Sequence, residues 1–285
     1  MEQATVFPPG RVTIVGVLNL TPDSFSDGGR FIDRVGVDVR AAVDAGAALA
    51  AAGAHVVDVG GESTRPGADE ISIEEEIDRT QRVVEALAKE LAVPISIDTR
   101  RGEVAGAAID AGASVVNDVS GLGHDPRLAE LAAGRGATLI LGHMRGGPAT
   151  MQRDISFVDV VAEVTRELAE SVACAEAAGV PREQLCVDPG IGFGKRLPHN
   201  LALLSRVGEL RESLGLPVLV GPSRKSFLGE LTGDPVGERD TATHAACAIA
   251  VFAGADAVRV HDVDGARRAA EVAIALREAA AESSR

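Results

Sequence analysis

Eight short apolar runs, each followed by a turn and then by a segment of helical periodicity, constrain the fold of this chain most strongly. In chain order they are VTIVGVLN, HVVDVGG, PISIDT, SVVNDVS, ATLILGHM, QLCVDPG, PVLVGPS and AVRVHDV. They are apolar without alternation, which is typical of parallel strands that are buried on both faces. Eight strand–helix units in 285 residues predict an α/β fold of the TIM (β/α)8 barrel class, which typically takes about 250 residues.

The same pattern predicts a single domain over residues 1–285, with a core from about 12 to 281. No linker rich in proline, serine or glycine and no block of charge divides the chain. An open doubly wound sheet is the alternative, but no GxGxxG opens a helix after a strand and no GxxxxGK[ST] occurs. Helices are predicted after Ser72, which can cap with Glu75 as its partner, and from Asp264 to about Ala281.

Composition argues against several classes of partner. The net charge of −14 and the aromatic content of 2% argue against nucleic acid, which requires a basic surface and often aromatic stacking platforms. No apolar segment reaches the roughly 18 residues of a membrane span. The first ten residues lack a signal-peptide pattern, and three cysteines without a CxxC pair suggest neither a disulfide framework nor a zinc site. We therefore expect a cytoplasmic protein.

A barrel places its active site at the carboxyl ends of the strands, so the residues at those ends are the candidates for function. Any one of them taken alone could simply cap the following helix. Asp98, Asn117 and Asp188, however, follow apolar strand residues before any helix could begin. A carboxylate there would be nearly buried and would need a partner. The three side chains suit a ligand rich in N–H donors, such as an aminopyrimidine ring.

Positively charged residues also occur at the carboxyl ends of the predicted strands. Arg65, Lys225, Arg259 and His261 would together suit a phosphate group, although each arginine alone could be a surface ion pair. Lys225 could instead form a Schiff base with a carbonyl substrate, or serve as a hydrogen-bond donor and charge clamp. Two of the seven phenylalanines, Phe25 and Phe193, fall in glycine-rich loops after strands, where an exposed ring can contact a flat substrate.

The strand ends together resemble one family. The segments GVLNLTPDSFSDGG, DVGGESTRPG, SIDT, VNDVSG, HMRGGPATMQ, DPGIGFGK, GPSRKSFLG and RVHDV occur in this order between about Val12 and Val263, and they resemble those of the dihydropteroate synthases. The resemblance implies a transferase that joins 4-aminobenzoate to 6-hydroxymethyl-7,8-dihydropterin diphosphate, giving 7,8-dihydropteroate and diphosphate for folate synthesis.

The resemblance also implies roles for individual residues. Asn19 would help to hold Mg²⁺ with the diphosphate, and Arg259 and His261 would bind the diphosphate itself. The residues that would bind the pterin ring are Asp98, Asn117, Asp188 and Lys225. Those implied for the 4-aminobenzoate pocket are Phe25, Thr64, Arg65, Pro66, Phe193, Lys225 and Ser226. Of all these, the residues expected to be catalytic are Asp98, Lys225, Arg259 and His261.

Two alternatives within the same resemblance stay open on the sequence. One is a pterin-binding methyltransferase domain that acts with a corrinoid protein, and the other is a pterin-binding paralogue without activity. The Ser-Thr-Arg-Pro and Ser-Arg-Lys segments favour the synthase. The family also implies a homodimer formed through outer helices near the C-terminus.

Overall fold

A computed structural model of the chain describes residues 5–21, 31–33, 36–64, 69–148 and 150–283. Three of the predicted site residues, Phe25, Arg65 and Pro66, lie outside these ranges. The other predicted residues can be placed in the fold.

The described residues form ten strands. These are β1 (Thr13–Asn19), β2 (Ile32–Asp33), β3 (Gly36–Val37), β4 (Val56–Gly60), β5 (Ile95–Asp98), β6 (Val115–Asp118), β7 (Thr138–Gly142), β8 (Leu185–Asp188), β9 (Leu219–Val220) and β10 (Ala257–Val260). Eight of them make one parallel sheet in the order β8-β7-β6-β5-β4-β1-β10-β9. A parallel bridge between Val187 and Val218 joins its two outer strands. The sheet therefore curls into a barrel, and the predicted TIM (β/α)8 class is confirmed.

Helices connect the strands and cover the outside of the barrel. They are α1 (Val39–Ala51), α2 (Ile73–Glu90), α3 (Gly102–Asp110), α4 (Arg127–Arg135), α5 (Val160–Ala177), α6 (Leu197–Ser205), α7 (Val207–Leu214), α8 (Ser226–Thr232), α9 (Asp240–Phe252) and α10 (Val263–Ser283), with short 3-10 turns at Arg182–Gln184 and Val236–Glu238. Ser72 caps α2 as predicted, since its hydroxyl accepts from the Glu75 N–H at 3.1 Å. Within the described part of the chain, no helix is both long and apolar enough to cross a membrane.

Two apolar layers follow from the alternation of side chains along each strand. Residues such as Ile14 and Leu18 point outward and pack beneath the helices. A second cluster fills the barrel interior with side chains from seven strands and the N-terminal segment: Phe7, Val15, Val56, Val115, Ile140, Cys186, Leu219 and Ala257. This cluster fills the barrel near the amino-terminal ends of the strands. The polar residues at the carboxyl ends therefore lie around the opposite mouth.

Two local features differ from the sequence prediction. The seventh apolar run, PVLVGPS, contributes only the two residues of β9, because Pro217 and Pro222 on either side have no N–H to donate to a neighbouring strand. A small antiparallel pair, Ile32 with Val37 and Asp33 with Gly36, also follows β1. This pair lies outside the eight predicted units.

Candidate active site

A cavity of about 450 Å³ opens at the carboxyl ends of the barrel strands. Predicted residues that line it are Asn19, Thr64, Asp98, Phe193, Lys225, Ser226, Arg259 and His261. They come from six different strand ends that are distant in sequence, and the fold brings them to one mouth. Asn117 is the residue before the last of β6, Asp188 ends β8, and both are buried.

A buried carboxylate organises the floor of this site. Oδ2 of Asp58 accepts from Arg259 Nε at 2.6 Å and from Asn117 Nδ2 at 3.2 Å. Asp58 itself is 0% exposed. Asp58 was not among the residues to which the sequence assigned a role. The available signal was a single charge inside the apolar run HVVDVGG, since a buried charge requires a partner.

Asp98 offers the site an acceptor. Its Oδ2 accepts from Arg259 Nη2 at 2.6 Å, whereas Oδ1 is buried and has no hydrogen-bond partner among the described residues. Burial raises the pKa of Asp98 to about 7, the nearby carboxylates of Asp58 and Glu76 add to the rise, and Arg259 opposes it. A ligand that donates an N–H to Oδ1 would supply the missing bond.

Arg259 keeps its charge between the two aspartates. Burial alone would lower the pKa of its guanidinium, but the carboxylates of Asp58 and Asp98 raise that pKa overall. The group is therefore a fixed cation in the wall of the cavity.

Lys225 enters the cavity from the loop after β9. Its Nζ donates to the Ile191 carbonyl oxygen and lies 4.0 Å from the centroid of the Phe193 ring. Burial lowers the pKa of Lys225 to about 8, while the Asp188 carboxylate favours the charged form. Gly192 has φ +82, and a Cβ built there would lie 2.7 Å from Lys225 Cδ. Glycine is thus required for the loop to pass so close to the lysine.

Arg224 holds the turn that aims Lys225. It has φ +56, a left-handed conformation that is strained for a residue with a side chain. Its Nε and Nη2 donate to Asp240 at 2.7 and 2.8 Å, and its N–H donates to Thr243 Oγ1 at 3.0 Å. These bonds to α9 maintain the turn, so Arg224 has a structural role in positioning the loop after β9.

At the end of β10, His261 pairs with Ser223. The His261 ring Nδ1 lies 2.8 Å from Ser223 Oγ, and the His261 N–H donates to the same hydroxyl at 3.2 Å. The hydroxyl therefore fixes both the ring and the backbone at the end of β10.

The acceptors near Asn19 suit a magnesium ion that is bound together with a phosphorylated substrate. A Cβ built on Gly60 would lie 3.5 Å from Asn19 Oδ1 and 3.8 Å from Asp98 Oδ2, so the two oxygens flank this glycine. Among the described residues, no group of three or more His, Cys, Asp or Glu side chains could hold a metal by itself. Mg²⁺ commonly takes only one or two protein ligands and completes its shell with water and substrate phosphate. The donor set fits that pattern.

Glu62 is a residue that the sequence analysis left without a role. It lines the cavity, and its buried carboxylate accepts from Arg100 and Arg101, each at 2.8 Å. It also accepts from the Ile71 N–H at 3.3 Å. Glu62 thus connects the start of the segment that carries Thr64 with Ile71 further along the chain, and both with the loop after β5.

Fold and site together define a TIM barrel with a cavity at the carboxyl ends of its strands, where buried carboxylates lie beside fixed cations, which is the arrangement of a barrel enzyme. The family model described as pterin binding enzyme matches residues 15–261. A dihydropteroate synthase of Synechocystis sp. is 45% identical over 274 residues, covering 95% of this chain and 93% of that protein.

Solved structures agree with this match. A dihydropteroate synthase of Yersinia pestis in complex with a sulfonamide drug aligns with a TM-score of 0.88 at 40% identity, covering 94% of this chain and 95% of the other. That of Xanthomonas albilineans with 4-aminobenzoic acid aligns with a TM-score of 0.84 at 42% identity, covering 94% of each chain. The chain therefore belongs to the dihydropteroate synthase family of folate-pathway transferases, as the sequence predicted.

Proposed function

We propose that this cavity joins 6-hydroxymethyl-7,8-dihydropterin diphosphate to 4-aminobenzoate, and that Asp98, Lys225, Arg259 and His261 are its catalytic residues. The observation that carries the proposal is the buried oxygen Asp98 Oδ1, which has no partner among the described residues and lies beside a cation fixed by two aspartates. A pterin edge supplies the N–H donors that this oxygen needs.

The pterin ring would lie over Asp98, Asn117 and Asp188. The two carboxylates accept from ring and exocyclic N–H groups, while the Asn117 amide and the Lys225 ammonium can donate to ring acceptors. The same carboxylates stabilise the positive charge that develops on the pterin methylene as the C–O bond breaks.

The diphosphate would leave toward Arg259 and His261. Both electrons of the C–O bond go with the leaving group, and the adjacent cation favours that separation of charge. Asn19 would hold Mg²⁺ together with the diphosphate oxygens. When bound, the ion neutralises part of the charge on the leaving group.

4-Aminobenzoate would bind against Phe193, Lys225, Ser226 and Thr64. Its amino nitrogen forms the new C–N bond to the methylene and then loses a proton, and an aromatic amine of this kind needs no obligatory protein base. Phe25, Arg65 and Pro66 would complete this pocket. Sulfonamides resemble 4-aminobenzoate and would bind in the same pocket, and the Yersinia pestis relative was solved in complex with a sulfonamide drug.

We also infer a homodimer formed through α9 and α10. Ile249 and Phe252 on α9 and Val272 and Leu276 on α10 are large apolar side chains with 48% to 60% exposure, and the two helices pack on each other. A second copy would cover this face. Sedimentation equilibrium tests the assembly, and a monomer at micromolar concentration would contradict it.

A cytoplasmic location is part of the proposal. The three cysteines are free thiols, and two of them are buried. Free thiols are typical of a reducing compartment. Fractionation of cells that express the tagged protein tests this location.

Product formation tests the function. Purified protein is incubated with Mg²⁺ and both substrates, and 7,8-dihydropteroate and diphosphate are measured. Growth of a synthase-deficient strain without folate end-products is the second measurement. Failure of both assays would leave the inactive paralogue as the better description, and methyl transfer that depends on a corrinoid protein would favour the methyltransferase.

A further inference from the structure

A second lysine, Lys195, lies behind the cavity wall and has no part in the function proposed above. It is only 4% exposed. Its Nζ reaches three acceptors: His143 Nδ1 at 2.9 Å, the Phe193 carbonyl oxygen at 3.0 Å and the His143 carbonyl oxygen at 3.3 Å. An ammonium group has three N–H donors, so its hydrogen-bonding capacity is fully used at this point.

The partner imidazole is itself fixed. His143 Nε2 lies 3.0 Å from Glu167 Oε2, and that same oxygen accepts from Arg145 Nε at 3.0 Å. Burial lowers the pKa of His143 to about 4, so the ring is neutral near pH 7. A neutral ring that donates from Nε2 to the carboxylate presents a lone pair on Nδ1. That lone pair can only accept, and Lys195 is the donor beside it.

The bond from Lys195 to the Phe193 carbonyl connects this buried cluster to the cavity. The Phe193 ring lines the cavity and lies beneath Lys225 Nζ. Lys225 holds the same loop at the Ile191 carbonyl. Two lysines therefore hold the loop at two carbonyl oxygens two residues apart, one from the cavity side and one from behind.

Close packing at Gly190 also holds the loop that carries Phe193 in place. Gly190 has φ +68, and a Cβ built there would lie 1.9 Å from the His143 carbonyl oxygen. The Gly190 carbonyl accepts from the Phe193 N–H at 3.0 Å. The loop thus rests directly on His143, and the position of the Phe193 ring depends on contacts that Lys195 and His143 share.

An amine in this position costs stability. Burial lowers the pKa of Lys195 to about 7, and Lys225 and Arg145 lower it further, while the Asp188 and Glu167 carboxylates favour the charged form. An apolar side chain could fill the space without that desolvation cost. Lys195 is thus a costly residue for simple packing, and what it adds over an apolar side chain is its hydrogen bonds to His143 and Phe193.

We propose that Lys195 is a positioning residue that fixes the Phe193 wall of the cavity and thereby sets the affinity for the aromatic amine substrate. This inference rests on the proposed function. It assigns the residue to the aromatic amine, because Lys195 donates its hydrogen bonds to His143 and Phe193 and donates none to the groups assigned to the pterin ring, on which it acts only through charge.

Steady-state kinetics of Lys195→Met, with each substrate varied in turn, test the assignment. Loss of a buried charged hydrogen bond predicts that KM for 4-aminobenzoate rises by about tenfold or more. KM for the pterin diphosphate should change by less than about twofold, since that substrate keeps its contacts. Lys195→Gln retains one donor group and should recover part of the affinity. The control is Arg196→Met, which removes the neighbouring exposed cation and should leave both constants unchanged.

Equal rises in both KM values, or a lower Tm with unchanged constants, would overturn the proposal. Absence of product from the wild-type protein would instead count against the proposed function, so the two failures are distinguishable.

A measurement on the wild-type protein avoids the risk that the variant fails to fold. Only three of the 28 Lys and Arg residues are lysines, Lys89, Lys195 and Lys225, so ¹⁵N-lysine labelling gives three side-chain signals. Titration with 4-aminobenzoate in the presence of 6-hydroxymethylpterin and diphosphate should move the Lys195 signal, while exposed Lys89 stays in place. A Lys195 signal that does not respond would overturn the proposal.

Discussion

Arg259 and Asp58 form a 2.6 Å ion pair at the floor of the cavity, although they are 201 residues apart in sequence. The aspartate is fully buried and also accepts from Asn117. It therefore sets the direction of one proposed diphosphate ligand and one proposed pterin ligand, while it touches neither substrate in the arrangement that we propose.

Asp58→Asn tests whether Asp58 orients the side chains of Arg259 and Asn117. The change removes the counter-charge of Arg259, and we expect kcat/KM for the pterin substrate to fall by about 10-fold or more, because loss of one buried charged partner costs about 1.5–3 kcal/mol. Asp44→Asn is the matched control, since Asp44 forms an exposed pair with Arg40 on α1. Unchanged kinetics in Asp58→Asn would mean that Arg259 is oriented by other contacts.

The pH dependence of pterin binding follows from two shifted groups. The pKa of Asp98 is raised to about 7, so its acceptor form is lost as the pH falls through that value. The pKa of Lys225 is lowered to about 8, so its charged form is lost as the pH rises through that value. We expect kcat/KM for the pterin substrate to peak between these values. Lys225→Arg should move the alkaline limb upward, because a guanidinium stays charged. A flat profile from about pH 6 to 9 would refute both assignments.

Asp98 also gives a stability effect of definite sign. Its folded-state pKa lies above the ordinary value of 3.8, so the folded state binds more protons than the unfolded state between that value and about 7. This group's contribution to the free energy of unfolding therefore falls as the pH rises through that window. The free energy of unfolding is measured by urea denaturation at pH 4.5 and at pH 7. The decrease between the two pH values should be smaller in Asp98→Asn than in the wild type. An equal loss in both proteins would indicate that the Asp98 pKa is not raised.

The turn at Arg224 depends on its ion pair with Asp240. Asp240→Asn should lower the free energy of unfolding by about 1 kcal/mol, as expected for a partly buried pair. It should also lower kcat/KM several-fold, because Lys225 follows the strained residue directly. Urea denaturation and steady-state kinetics measure the two effects. The exposed carboxylate of Asp264, which pairs with Arg267 and Arg268, provides the control variant Asp264→Asn. Equal changes of stability and kcat/KM in Asp240→Asn and Asp264→Asn would show that the turn at Arg224 has no particular importance for activity.

Magnesium dependence tests Asn19. Asn19→Ala removes the proposed amide ligand, and we expect the Mg²⁺ concentration for half-maximal activity to rise by about 10-fold, the effect of roughly 1.4 kcal/mol. Asn19→Asp keeps an oxygen ligand and should bind the ion at least as well. Calorimetric titration of diphosphate with and without Mg²⁺ gives a readout that does not need turnover. Identical Mg²⁺ curves for wild type and Asn19→Ala would exclude this ligand.

The sequence by itself determined the barrel and the set of polar strand ends. Both are local signals: apolar runs without alternation indicate buried parallel strands, and parallel strands bring their carboxyl ends to one mouth. Asp98, Lys225 and Arg259 could therefore be selected before any contact was known. The short β9 and the hairpin after β1 were not predicted, because they depend on flanking prolines and on loop conformation rather than on periodicity.

Only the tertiary structure decided which of these groups pair. Asp58 appears in the sequence as one more strand-end aspartate, yet it is the shared acceptor of Asn117 and Arg259. Arg224 and Lys225 are adjacent in the chain, but one bonds to α9 and the other enters the cavity. Lys195 and Lys225 are both lysines at strand-end loops, and only the packing places one behind the Phe193 wall and one in front. The physical reason is that hydrogen bonds and desolvation act between side chains that closure of the barrel brings together, and one-dimensional spacing carries no record of those distances.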